Sequence, residues 1–238
     1  MINALDVAIS WDILGSWIDL KSLVRLDTAH CHRKDRQALA PLFSSKEYVF
    51  RNPATFRKPE TIEWLSTKKI KVSCIVLGPN RHLELLSSYL RVSGLAVSTV
   101  NISSSLWYNS NKSSKMYTIA IYCKNLQILV CEGVKLESAF KDLLWCNPNL
   151  TEIWLDTIDC QCTAVFDNMP LHKLSILSVS NSACDNFVSS GLALKNALKK
   201  LKLGSSVLPE VVLQFTHSSP TLKSLPLKDA QLPNETII

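Results

Sequence analysis

The sequence predicts an α/β solenoid, a stack of short parallel strands joined by helical returns. Two observations carry this. A Leu-rich hexad recurs in one register: Leu126-Gln-Ile-Leu129-Val-Cys131, Leu150-Thr-Glu-Ile153-Trp-Leu155, Leu174-Ser-Ile-Leu177-Ser-Val179, Leu198-Lys-Lys-Leu201-Lys-Leu203 and Leu222-Lys-Ser-Leu225-Pro-Leu227, each starting 24 residues after the one before. Between the hexads, apolar residues return at helical spacing, as in Phe140, Leu143 and Leu144. An ordinary apolar core would not keep one register over five units. A fixed step of roughly 20–29 residues instead marks units that bury their apolar edges only by stacking on each other.

Within each hexad the last two apolar positions are two apart, so their side chains share one face of a short strand. A further apolar position recurs at Leu136, Cys160, Cys184, Leu208 and Leu232. The helical returns continue in Val165, Phe166 and Met169, and in Val211, Val212 and Phe215. Several end in a proline turn: Asn147-Pro148-Asn149-Leu150, Met169-Pro170 and Ser219-Pro220-Thr221-Leu222. Proline stops a helix and holds the preceding residue extended, which suits entry into a strand. The L-x-x-L-x-L hexad at this period is the signature of leucine-rich repeats. The phrase Leu144-Trp145-Cys146-Asn147-Pro148-Asn149-Leu150, with Ser218-Ser219-Pro220-Thr221-Leu222, resembles the leucine-rich repeats of F-box proteins.

Upstream the pattern loosens. A helix opens at Pro59, suited to a first helical turn, and leads to Val72, Ile75 and Leu77. The next helix, from Arg81 to Leu90, leads to Val97, Val100 and Ile102. These are two divergent repeats, giving about seven in all. The longer step before Leu126 is assigned to a polar Ser-Asn-Lys loop over 108–115. After Leu227 the sequence shows neither a helix nor a polar cap, so the array is expected to end mid-unit. The expected division is a helical cap over 1–45 and a solenoid over 46–238, divergent over 46–116 and regular over 117–238.

The N-terminal texture is different. Ser10 can cap a helix carrying Ile13, Leu14, Trp17 and Ile18, and Asp19 a second carrying Leu20, Leu23, Val24 and Leu26. A basic amphipathic third segment runs from His32 to Phe43, with Pro41 marking a kink or an end. These three short helices resemble an F-box. Ile9-Ser10 replaces that family's Leu-Pro, and the tryptophan usual in its third helix is missing. The resemblance implies that the helices dock on the Skp-type adaptor of a cullin-RING ubiquitin ligase, through Ile13, Leu14, Trp17 and Leu23, while the repeats hold the substrate. The alternative is a plain cap closing the first repeat, on a repeat scaffold unconnected with ubiquitin.

The composition is that of a folded protein, 47% apolar and 19% charged. The net charge of +6 is a modest surface excess and does not by itself point to nucleic acid. No apolar run reaches the roughly 18–20 residues of a membrane span. The N-terminus lacks a basic n-region, so the eight cysteines are read as reduced thiols of a cytoplasmic or nuclear protein. Enzyme motifs are not found. The six glycines form no phosphate-binding loop. His30-Cys31-His32 and Cys160-Gln-Cys162 lack the paired spacing of a zinc site. No metal or cofactor is expected, and Cys131, Cys160 and Cys184 are read as small apolar repeat residues.

Recognition is therefore the expected activity. Residues between the apolar positions of each hexad face away from the core and line the concave, sheet-bearing side. One column there reads Val130, Trp154, Ser178, Lys202 and Pro226, its neighbour Ile128, Glu152, Ile176, Lys200 and Ser224, and a third Gln127, Thr151, Ser175, Lys199 and Lys223. An exposed Trp154 beside Val130, Ile128 and Ile176 would anchor an apolar side chain. Lys199, Lys200 and Lys202 would meet an acidic segment of the same protein partner.

Overall fold

A computed structural model describes residues 16–29, 43, 49–77, 82–102, 112–133, 138–156, 169–180, 198–203 and 221–224. The chain is α/β with a parallel sheet. Helix α1 (Leu20–Ala29) is followed by β1 (Val49–Phe50), β2 (Ala54–Phe56), α2 (Pro59–Lys68), β3 (Lys71–Val72), β4 (Cys74–Leu77) and α3 (Leu83–Ser93), which tightens into a 3₁₀ turn at Gly94–Ala96. Then come β5 (Thr99–Ile102), α4 (Lys112–Tyr122), β6 (Ile128–Glu132), α5 (Ser138–Trp145), β7 (Glu152–Asp156), β8 (Ile176–Ser180) and β9 (Lys200–Leu203). Strands β2 and β4 to β9 form a seven-stranded sheet in chain order, and β1 pairs with β3 beside it. Among the described residues every pairing is parallel.

The 24-residue register is the pairing register. Leu129 lies opposite Ile153, Ile153 opposite Leu177, and Leu177 opposite Leu201. The divergent units join in the expected alignment, Ile75 to Val100 to Leu129. Leu126, Leu150, Leu174 and Leu198 are fully buried in the same core. The units also share a backbone joint. Each entry carbonyl of Ser73, Ser98, Gln127, Thr151, Ser175 and Lys199 accepts two N–H groups from the next unit, from Ser98 and Thr99 on to Lys223 and Ser224. The joint carries the stacking as far as Ser224, which bridges Lys200.

Two readings are corrected. Segment 108–115 is not a loop throughout, because α4 begins at Lys112. The polar Lys-Ser start hides a buried stripe of Met116, Ile119, Ala120 and Cys123 at helical spacing. The sheet also begins one strand earlier than expected, at Ala54–Phe56. Phe50 pairs with Val72, and Ala54 with Ile75. The extra residue between Phe50 and Ala54, and Pro53 within it, break the hexad spacing that would have revealed this unit.

At the close of α5, Asn147 is fully buried and its Nδ2 donates to the Leu143 carbonyl at 2.9 Å. Its amide holds the helix end, a role that the proline reading of this turn overlooked. The second apolar column (Leu136, Cys160, Cys184, Leu208, Leu232), the returns at Val165, Phe166, Val211, Val212 and Phe215, and the chain after Leu227 lie outside the described residues. Among the described residues, no helix is long and apolar enough to cross a membrane.

Candidate functional site

Two surfaces contain the predicted binding residues. The first is the open face of the sheet. Strand alternation sends Leu129, Ile153, Leu177 and Leu201 inward and their neighbours outward, and pairing sets the outward residues in rows. Cys74, Thr99, Ile128, Glu152, Ile176 and Lys200 form one row, and Val76, Asn101, Val130, Trp154, Ser178 and Lys202 the next. Adjacent strands lie about 4.8 Å apart, so Ile128, Glu152, Ile176 and Lys200 occupy one continuous strip. Of the expected partner residues, Ile128, Val130, Glu152, Trp154, Ile176, Lys200 and Lys202 are half-buried and Lys199 is exposed.

Trp154 departs from expectation. It is half-buried rather than exposed, and its Nε1 donates to the Glu152 carboxylate at 3.1 Å. The indole is thereby held along its own strand, and Ser178, its lateral neighbour, is 3% exposed. The third column also differs in part from its expected role. Thr151 Oγ1 donates to the Gln127 carbonyl and Ser175 Oγ to the Thr151 carbonyl, each at 3.1 Å. Ser98 Oγ makes the equivalent bond to Ser73 O at 3.3 Å. These hydroxyls tie unit to unit, leaving Gln127, Lys199 and Lys223 as the exposed members.

The face is polarised in charge. Glu132 and Asp156 lie side by side at the ends of β6 and β7, and Glu152 stands at the opposite end of β7 beside Ile128. Lys199, Lys200, Lys202 and Lys223 gather on the last units. The described cysteines are free thiols. Burial pushes the Cys131 thiol well above its ordinary range, as expected of an inert core residue. His30, Cys31, His32, Cys160, Cys162, Cys184 and Lys195 lie outside the described residues.

The second surface is the N-terminal helical region. Asp19 caps α1, accepting the Ser22 N–H at 2.6 Å; the Ser22 hydroxyl first, and then this N–H, lower its carboxyl pKa. Leu23 is fully buried, so this residue, expected to face an adaptor, instead packs α1 onto the core. Trp17 is 83% exposed beside a shallow pocket that also involves Ile18, Arg25 and Leu26. Ile13, Leu14 and the basic segment around Pro41 lie outside the described residues, although Phe43 is buried edge-on against Trp64. A cleft of about 630 Å³ separates α1 from the start of the sheet, with Leu20, Val24, Pro53, Thr55 and Trp64 among its walls. Three further hydrogen bonds hold α1 and the residues just before it. Asn52 Nδ2 donates to the Ile18 carbonyl at 2.9 Å, and the buried Asp27 accepts from Lys68 at 2.8 Å and Trp64 Nε1 at 3.3 Å.

Together these features define a parallel α/β stack of repeated units, with a polarised open face and a firmly mounted N-terminal helix. No protein-family model matches the chain, and no curated protein matches it in sequence. A solved structure does match, the crystal structure of the Rad7 and Elc1 complex in yeast. It is 12% identical with a TM-score of 0.52, and the match covers 94% of this chain and 67% of that one. At that identity the likeness is one of fold.

Proposed function

We propose that this chain is a leucine-rich-repeat solenoid of the F-box kind that recognises proteins. Its N-terminal helical region docks a Skp-type adaptor, and the open face of its sheet holds the protein to be presented. The observation that carries this reading is Trp17. A tryptophan left 83% exposed, on a region fastened to the repeats through Asn52 and Asp27, is a large apolar contact on a rigid mount. Tryptophans in that setting dominate binding hot spots. The fold likeness to a chain crystallised in complex with Elc1 supports the same reading. Recognition, rather than catalysis, is the activity proposed.

Co-expression of the full chain with a Skp-type adaptor, followed by size-exclusion chromatography, tests it. A stable complex that Trp17→Ser abolishes without lowering the melting temperature is the expected result. If no complex forms, the adaptor role falls. The second reading, a repeat protein whose helices merely close the stack, draws on a specific observation. Leu23 and Asp27 are both buried against the first units, as a cap requires. In that case Trp17→Ser changes no partner binding, and binding resides on the open face alone.

A further inference from the structure

The helices repeat on the other side of the stack, and so does what they expose. Val92, Ile121 and Trp145 each stand five residues before the first buried position of the following hexad, at Val97, Leu126 and Leu150. They are therefore equivalent residues of successive units, on α3, α4 and α5. They are 74%, 56% and 59% exposed, and Leu95 (65%) and Tyr117 (40%) belong to the same helices and turns. Among the described residues, the remaining exposed large apolar side chain is Trp17. The apolar residues of the open face, Ile128, Val130 and Ile176, are more covered than these. Scattered single apolar residues on a surface need no explanation, but a column that recurs unit after unit forms a stripe.

We infer that this stripe is a second protein-binding surface, and that its occupant is one acidic amphipathic helix lying across α3, α4 and α5. Geometry gives the helix. Packed helices lie about 8–10 Å apart, and seven residues of α-helix advance about 10.5 Å. A helix with apolar residues every seven positions thus meets Val92, Ile121 and Trp145 in turn. Charge gives the acidity. Segments 83–96, 114–125 and 138–149 carry Arg91, Lys115, Lys124 and Lys141 against Glu84 and Asp142. Lys124 holds its ammonium at the end of α4, on the Ala120 carbonyl. A second copy of this chain seated on the stripe would set two basic surfaces together. A partner with acidic flanks gains where a second copy loses. The surface is separate from both Trp17 and the open face, so the inference stands whether or not the adaptor reading does.

Two labelled synthetic helical peptides test it, each with leucines seven residues apart, one flanked by Glu and the other by Lys. Their binding to the full chain is read by fluorescence anisotropy. Saturable binding of the Glu peptide, roughly tenfold tighter than the Lys peptide and weakened roughly tenfold by Ile121→Ser with Trp145→Ser, is the expected result. If that double variant melts early, Val92→Ser alone serves, and the same loss is expected. No saturable binding of the Glu peptide, equal binding of both peptides, or binding unchanged in the variants overturns the inference. Concentration-dependent self-association in sedimentation velocity, abolished by the same substitutions, also overturns it by showing that a second copy covers the stripe.

Discussion

Trp154 donates its indole N–H to the carboxylate of Glu152, two residues back along the same strand and on the same face. The bond fixes the ring that sequence reasoning put forward as a free anchor. It also places a carboxylate next to that ring. A partner's acidic part is therefore expected over Lys199, Lys200, Lys202 and Lys223, and its apolar part over Ile128, Val130 and the indole. Against a peptide that joins an aromatic residue to an acidic run, Trp154→Ala should cost roughly 2 kcal/mol of binding with little loss of stability. Glu152→Gln keeps an acceptor for the indole and removes the charge, so the same peptide should bind a few-fold tighter at low salt. Titration calorimetry at two salt concentrations reads both effects. Unchanged affinity in both variants would place the binding face elsewhere.

The core of the repeat should respond to truncation. Leu150 is fully buried between Leu126 and Leu174, in a column where every described unit supplies an apolar side chain. Leu150→Ala leaves a cavity that the stacked neighbours cannot close, and should cost roughly 2–5 kcal/mol. Urea melts measure it, and a near-unchanged midpoint would contradict the register.

How much of this was legible follows from what each residue contributes. The hexads announced themselves because Leu126, Leu150, Leu174 and Leu198 repeat both chemistry and spacing, and stacking demands both. The strand at Ala54–Phe56 was hidden because Pro53 and one extra residue break the spacing while the backbone still pairs. The start of α4 was hidden because lysine and serine fill a first turn whose buried residues come later, at Met116 and Ile119. On the open face, alternation told which residues point outward. It could not show that Trp154 would bond to Glu152, or that Thr151 and Ser175 would spend their hydroxyls on the neighbouring unit. Those outcomes depend on side-chain reach across strands, which one sequence does not encode in any period.

Gly94 offers a test of close approach. Its φ of −62° suits any residue, so alanine would ordinarily gain about 0.4–1 kcal/mol there by restricting the unfolded chain. A Cβ at this position, however, would lie 2.6 Å from the Tyr122 carbonyl oxygen and 2.9 Å from its carbon, both backbone atoms of α4. Helix α4 would have to move away, and overpacking of this kind costs roughly 1–3 kcal/mol. The contact outweighs the entropy, so Gly94→Ala should lower stability. A raised melting temperature would show that the two helices separate freely.

Alkaline pH should destabilise the fold. Burial pushes the Cys123 thiol from its ordinary 9.0 up to about 12, and raises Cys131 and Tyr89 as well. With folded values above unfolded ones, the stability from these groups is complete below about pH 9 and falls as pH rises toward 12. Each thiol can add up to about 1.4 kcal/mol per pH unit to that slope. Lys115 works in the opposite direction, since burial lowers its pKa and folding then releases a proton rather than holding one. One half-buried amine is set against three buried acids, so the net slope is downward. Urea midpoints measured from pH 8 to 11 should decline, and Cys123→Ala should flatten the decline relative to its own value at pH 8.

The mount of the N-terminal helix rests on Asp27. Asp27 is buried, and its carboxylate accepts from the Lys68 ammonium at 2.8 Å and the Trp64 indole at 3.3 Å, so α1 and α2 share one polar joint. Lys68 keeps a quarter of its side chain exposed, and water screens its part of the pair. The Asp27 carboxylate is buried, and the half-buried Trp64 bonds to it from the wall of the cleft. Asp27→Ala leaves the Trp64 donor without this acceptor and should cost roughly 1–3 kcal/mol. Lys68→Met keeps the stem packed and removes the charge. It should cost less than Asp27→Ala if the indole carries the joint, and about as much if the ion pair does. A double-mutant cycle separates the two cases. A coupling energy near zero would mean that the indole carries the joint. A coupling as large as the full Asp27→Ala loss would assign it to the ion pair. If neither variant loosens α1 in hydrogen exchange, Leu23 and Phe43 hold the helix through packing alone.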